Sequence, residues 1–256
     1  MLSVDLNCDL GESFGSFRVG QDEEILKYIT SANIACGYHA GDHNHMMKTV
    51  QLAKKLNVQI GAHPGLPDLA GFGRREMNLS PEEIYHIIIY QIGALFAFAK
   101  VNGVRVHHIK PHGALYNMAE KNRDISKAVV KAVKDIDSEL ILYGLSGGIL
   151  CEEGEKAGLK VAHEVFADRT YQPDGTLTPR TEPNALIHDL EQAIQQVIQM
   201  VKEQKVIATN GKEIKVKADT ICVHGDGPNA LHFVQILRQT LENEGISIQS
   251  VRMTRT

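Results

Sequence analysis

A chain of 256 residues, 43% of them hydrophobic, is long enough for one full-sized α/β domain with an ordinary core. A formal charge of −4, with the basic residues scattered in no run of five or more, gives nucleic acid no electrostatic footing as a partner. Four cysteines without C-x-x-C spacing argue against a disulfide framework, so the expectation is small, reduced, apolar side chains in the cytoplasm.

The chain opens MLSVDLNCDLGE and runs directly into a strand-like segment, without the basic start and apolar stretch of a signal peptide. Its apolar stretches are interrupted before ~18 positions, so no membrane span is expected. Seven short apolar runs predict strands over 3–8, 31–36, 58–62, 104–109, 140–144, 160–166 and 220–223. Helical periodicity fills the intervals. Ile84, Ile87, Ile88, Ile92 and Leu95 form one apolar stripe, and Ser80-Pro81-Glu82-Glu83 before them reads as a helix start with a capping box. Ile125, Ala128, Val129, Ala132, Val133 and Ile136 form a second stripe; Ile187, Leu190, Ile194, Val197, Ile198 and Val201 form a third. Gly103, Gly158 and Gly245 fall where helices should stop. Asn210-Gly211 between two strand-like runs predicts a small β-hairpin inserted at about 205–217. No linker or low-complexity segment divides the chain, which reads as one domain over 1–256.

Strand alternating with helix predicts a parallel sheet covered by helices, as a closed barrel or a long open sheet. Either form builds its site at the C-terminal ends of the strands. Polar groups fall there after nearly every predicted strand. The first runs into Asn7, Asp9 and Glu12, the second into His39 and Asp42, and the third into His63. The fourth gives Lys110 and His112, the sixth Glu164, Asp168 and Arg169, and the seventh His224 and Asp226. Capping or solvation explains any one of these, but poorly explains four histidines at one level of the architecture. Histidine there can serve as base, acid or metal ligand, and adjacent glycines let a ligand approach the backbone.

His39-x3-His43, with His45 beyond, has a spacing zinc accepts, but the glutamate of H-E-x-x-H is absent. Asp9, His39 and His63 on adjacent strand ends make a better three-ligand set. No Walker motif or G-x-S-x-G elbow occurs, which disfavours a covalent serine mechanism and leaves no recognised ATP motif. The 64–78 segment, rich in Gly and Pro and carrying Asp68, Arg74 and Arg75, is long enough for a lid.

Six blocks then resemble the LamB/YcsF family, in order along nearly the whole chain. They are Val4-Asp-Leu-Asn-Cys-Asp-Leu-Gly-Glu12, Ser31-Ala-Asn-Ile-Ala-Cys-Gly-Tyr-His-Ala-Gly-Asp42, Gly61-Ala-His-Pro64, Lys110-Pro-His-Gly-Ala-Leu-Tyr116, Glu164-Val-Phe-Ala-Asp-Arg169 and His224-Gly-Asp-Gly227. The resemblance implies a seven-stranded (β/α) barrel-like fold of the glycoside hydrolase/deacetylase type. It also implies ATP-dependent hydrolysis of the lactam 5-oxoproline to L-glutamate, with ADP and phosphate released, by a complex in which this chain works with two other subunits, B and C. Cys8 stands where many members have Ala, and His43, His45 and His163 lie outside the family pattern, which favours His39 and Asp42 over their neighbours.

A lactam is a stabilised amide, and phosphorylating its oxygen with ATP, delivered as a Mg complex, makes that oxygen a leaving group. Such a site needs a cation, a base near neutrality and orienting carboxylates. Lys110 and Arg169 are the cationic candidates. His39, His112 or His224 is the candidate base, with Asp9, Asp42, Glu164 or Asp226 to orient it. Asn7, Glu12, His63, Asp168 and Arg169 are expected to contact substrate. Two other readings remain open: a stand-alone metal-dependent deacetylase or amidohydrolase, and a non-catalytic lactam-binding subunit.

Overall fold

A computed structural model describes residues 2–223 and 230–253. The elements in chain order are β1 (Ser3–Leu10), α1 (Asp22–Ile25), β2 (Ser31–Ala35), α2 (His43–Lys55), β3 (Gln59–His63), α3 (Pro81–Val101), β4 (Val106–Ile109), α4 (Gly113–Lys121), α5 (Arg123–Ile136), β5 (Ile141–Leu145) and α6 (Ile149–Lys156). There follow β6 (Lys160–Phe166), α7 (Leu190–Lys202), the antiparallel pair β7 (Lys205–Ile207) and β8 (Glu213–Lys215), β9 (Thr220–Val223), α8 (Ala230–Asn243) and β10 (Ser247–Ile248). Strands β1 to β6 pair in sequence order, all parallel, and β9 closes the ring by pairing with both β6 and β1. The sheet is a closed seven-stranded barrel. Short β10 adds to the outer start of β1, an element the sequence did not announce.

All seven predicted strands form, with ends moved by at most two residues. The shift at β1 matters, because pairing with β2 continues through Leu10 and so takes Asn7 and Asp9 into the strand. The helices pack the predicted stripes inward. Ile84, Ile88, Ile92 and Leu95 of α3 are buried, as are Ile125, Ala128, Val129, Ala132 and Val133 of α5. Ser80 caps α3 through a full capping box with Glu83. By length and composition α3 alone among the described helices would be able to cross a membrane, but its apolar stripe lies against the barrel core. Within the third stripe Ile187 precedes the helix, which starts at Leu190.

The barrel interior departs from the usual filling of branched apolar residues. In β1, Val4, Leu6, Cys8 and Leu10 join the core beneath the helices, while Asp5, Asn7 and Asp9 point into the barrel. Asp5 accepts from Thr30, Ser31 and Thr220 hydroxyls at 2.6, 2.7 and 2.6 Å and from Tyr143 at 3.1 Å. One tier higher, Asn7 Nδ2 donates to Glu164 Oε1 at 3.0 Å and Asn33 Nδ2 donates to Asn7 Oδ1 at 2.7 Å. Asn33 Oδ1 holds His108 Nε2 at 2.7 Å. His108 fits because position 61 is glycine; a Cβ there would lie 2.1 Å from its Nε2. Buried polar groups this dense persist only when partnered. The network is therefore a rigid pedestal for the tier above.

Candidate active site at the carboxyl ends of the strands

Lys110, the residue after β4, forms the floor of the site. The residue is 2% exposed, and its ammonium lies 3.0 Å from Asp9 Oδ1, 2.8 Å from Glu164 Oε1, 3.2 Å from Asn7 Oδ1 and 3.1 Å from Cys222 Sγ. Burial opposes the charge, yet Asp9, Cys222 and Glu164 outweigh it and hold the Lys110 pKa well above its usual value. The lysine is a permanent cation between two carboxylates. The sequence suggests that it holds a substrate anion; its donors are instead committed to the protein, where they fix Asp9 and Glu164.

Above the floor stands a histidine cluster. His63 Nδ1 is 2.7 Å from the Lys110 carbonyl and its Nε2 is 3.3 Å from Asp9 Oδ2. His112 Nε2 is 2.8 Å from the Phe72 carbonyl, and its Nδ1 is 3.0 Å from His63 Nε2. His39 stacks on His112 with ring centroids 3.7 Å apart. Burial lowers the pKa of His39 and of His112 far below the ordinary value, aided by the neighbouring imidazoles. Glu12 Oε1 lies 3.4 Å from His39 Nε2 and 3.8 Å from His112 Nδ1. The 64–78 segment wraps this cluster as expected of a cover. Gln91 of α3 pins it by bonding both the N–H and the carbonyl of Gly65, at 3.0 and 2.8 Å.

The floor and cluster open into a cleft of about 900 Å³. Asp9, Glu12, His63, Lys110 and His112 line it, with Arg74 and Arg180 at its margin. Its far wall includes residues 172–182 of the long segment between β6 and α7, which the sequence motifs do not reach. The one signal in the sequence is the length of that segment without helical or strand periodicity.

Several expectations need correction. Asp42 is no part of the cluster. It caps α2, accepting from Asn44 and His45 N–H at 2.8 and 3.0 Å, from Gly15 N–H at 2.8 Å, and pairing with the His45 ring at 2.9 Å. Partial burial works against its charge, but these donors hold its pKa well below the carboxylate range. Asp42→Ala is expected to cost about 1–2 kcal/mol of stability in urea unfolding while substrate turnover stays within a few-fold; loss of turnover in a stable variant would return Asp42 to the site. His43 is exposed at the start of α2, so the His39-x3-His43 pair does not form. Asn7 lies beneath the cleft and supports Glu164 and Lys110 rather than touching substrate. Asp168 is half-buried at the base of the long segment, where its carbonyl accepts the Ile187 N–H, and does not line the cleft. Arg169 does line it, but its guanidinium donates to the Ala185 and Thr178 carbonyls and so shapes the wall. Burial lowers its pKa to about 10. His224 and Asp226 fall outside the described residues.

Glu120, on the inner face of α4, is a cleft residue the sequence did not single out. Burial raises its pKa from 4.5 to about 7, although N–H groups of Ile149, Leu150 and Leu145 pull the other way. Between those two values the folded chain keeps a proton the unfolded chain has released, so this contribution falls as pH rises through that window. Glu120→Gln should therefore gain stability relative to the parent chain between pH 5 and pH 8, by on the order of 3 kcal/mol. Urea midpoints at both pH values test this; parallel profiles for the two proteins would refute it.

The sequence profile described as the LamB/YcsF family matches residues 4–256. The chain belongs to the LamB/YcsF family. Among relatives of this family, the A subunit of the Oceanobacillus iheyensis 5-oxoprolinase is 60% identical over 250 residues, covering 98% of this chain and 97% of that one. A crystal structure of a lactam utilization protein from Thermus thermophilus is 48% identical with a TM-score of 0.92, covering 98% of this chain and 100% of that one. The catalytic domain of a peptidoglycan N-acetylglucosamine deacetylase from Eubacterium rectale is 11% identical with a TM-score of 0.50, covering 100% of this chain and 91% of that one. That likeness shows the barrel fold alone.

Proposed function

We propose that the chain is the A subunit of a 5-oxoprolinase, opening 5-oxoproline to L-glutamate at the cleft, with ATP, as its Mg2+ complex, supplying the phosphoryl group. Subunits B and C are its proposed partners, and the cytoplasm, which holds ATP, its proposed location. The observation that carries this reading is the Asp9–Lys110–Glu164 triad at the floor of a cleft beside uncharged imidazoles. Relatives named as the A subunit of 5-oxoprolinase, near 60% identical across their lengths, support the substrate.

In this reading transfer of the γ-phosphoryl group to the lactam oxygen releases ADP and leaves the ring carbon open to water. The ring C–N bond then breaks, the nitrogen taking up a proton, and a second water frees phosphate from the acyl group. Asp9, which faces the cleft and is oriented by Lys110 and Asn33, takes the proton of the attacking water. Arg74 and Arg180 suit the carboxylate of the substrate.

The test is glutamate and phosphate release from 5-oxoproline and ATP, with this chain alone, with B and C alone, and with all three. The proposal expects products only from the full mixture. Full activity from B and C without this chain would overturn it.

A further inference from the structure

The histidine cluster poses a problem of electron pairs. A carbonyl oxygen can only accept, so His63 Nδ1, 2.7 Å from the Lys110 carbonyl, carries a proton. For the same reason His112 Nε2, 2.8 Å from the Phe72 carbonyl, carries one. In neutral rings the remaining nitrogens, His63 Nε2 and His112 Nδ1, are then bare lone pairs, and they face each other at 3.0 Å. Two carboxylates look at the same point: Asp9 Oδ2 at 3.3 Å from His63 Nε2 and Glu12 Oε1 at 3.8 Å from His112 Nδ1. His39, fully buried beside them, has neither ring nitrogen in a hydrogen bond among the described residues. Donor atoms arranged this way repel one another unless a cation sits between them.

We infer that Glu12, His39, His63 and His112 form a site for one divalent transition metal ion of the zinc class. One ligand atom from each lies within 4.8 Å of the others. A tetrahedron with metal–ligand bonds of about 2.0–2.1 Å has edges of about 3.4 Å, close to the 3.0 Å between the two imidazoles and the 3.4 Å between Glu12 and His39. Closing separations of up to 4.8 Å to such edges requires the side chains to shift inward on binding. Imidazole with carboxylate is a donor set such ions prefer. The backbone carbonyls behind His63 and His112 supply the outer hydrogen bonds that fix a metal-bound imidazole. Glycine at 65 lets the covering segment close over His39, since a Cβ there would stand 2.5 Å from its Nδ1. With all four protein ligands in place the ion would sit at the cleft beside Asp9, and a fifth position opening onto the cleft would let it polarise a substrate carbonyl or acidify a water. That catalytic use rests on the lactam reading; the binding site does not.

The test uses the full chain, stripped with chelator, and titrated with Zn2+ by calorimetry and with Co2+ by visible absorption. One equivalent should bind, with the d–d bands of a low-coordinate Co2+ site and a rise in melting temperature. Affinity should fall at least tenfold in Glu12→Gln, His63→Ala and His112→Ala, and stay unchanged in His43→Ala. If the histidine variants fail to fold, the near-isosteric Glu12→Gln carries the decision. No stoichiometric binding, or equal affinity in a folded Glu12→Gln, overturns the inference and leaves a proton shared between His63 and His112. Metal binding without lactam turnover in the reconstituted mixture would instead count against the proposed activity.

Discussion

Lys110→Met is expected to give the most damaging single change in the molecule. It leaves Asp9 and Glu164, the partners of the ammonium at 3.0 and 2.8 Å, facing each other in the barrel without their cation. Removing one partner of a buried ion pair costs about 3–5 kcal/mol because the remaining charge is stranded. The variant should unfold at distinctly lower urea. At a concentration where it is still folded, the assembled enzyme should lose glutamate release by about 10³-fold or more, since both carboxylates lose their orientation or their charge. A Lys110→Met chain with parental stability would mean that the ammonium does not hold the two carboxylates in place. Stability lost with turnover kept would confine Lys110 to structure.

The second large effect is expected at Gly73. Its φ of +64 lies in the region that favours glycine, and a Cβ there would stand 2.6 Å from His39 Cβ and 2.8 Å from His112 Cδ2. Gly73→Val adds a branched side chain to that backbone and pushes on both rings, for about 2–5 kcal/mol in strain and overpacking. Displacing catalytic geometry by ~1 Å costs about 10²-fold in rate. The change touches no substrate, so a folded variant with normal turnover would show that the positions of His39 and His112 are not critical. Urea unfolding and turnover of the reconstituted mixture measure the two consequences separately.

The contrast between these positions and Asp42 shows what the sequence made legible. Barrel strands, capping box and hairpin follow from local periodicity and turn chemistry, and each formed where the pattern placed it. The strand-end rule also brings Asp9, Glu12, His39, His63, Lys110, His112 and Glu164 to one end of the barrel, because parallel strands all finish on the same face. It does not separate a residue that enters the cleft from one that caps the next helix, which is why it misplaces Asp42. Alternation along Val4-Asp5-Leu6-Asn7-Cys8-Asp9-Leu10 already holds the polar interior, but reading Asn7 as a strand end hides its place inside the barrel. Glu120 is invisible for a different reason. A buried glutamate on a helix differs from an exposed one only through what packs over it, here Gly148 and the start of α6. The wall built from 172–182 is a loop whose path depends on Arg169 and Tyr171, and tertiary contacts of that kind leave no period in the sequence.

Asp9 joins the pedestal, the lysine and the histidines, so changing it alone disturbs all three. The decisive measurement is glutamate released from 5-oxoproline and ATP by the three-subunit mixture carrying Asp9→Asn, which keeps the shape and removes the charge. A fall of at least about 10²-fold, at a temperature where the Asp9→Asn chain is still folded, is the predicted result. Parental turnover in Asp9→Asn would contradict it and move the chemistry away from this end of the barrel.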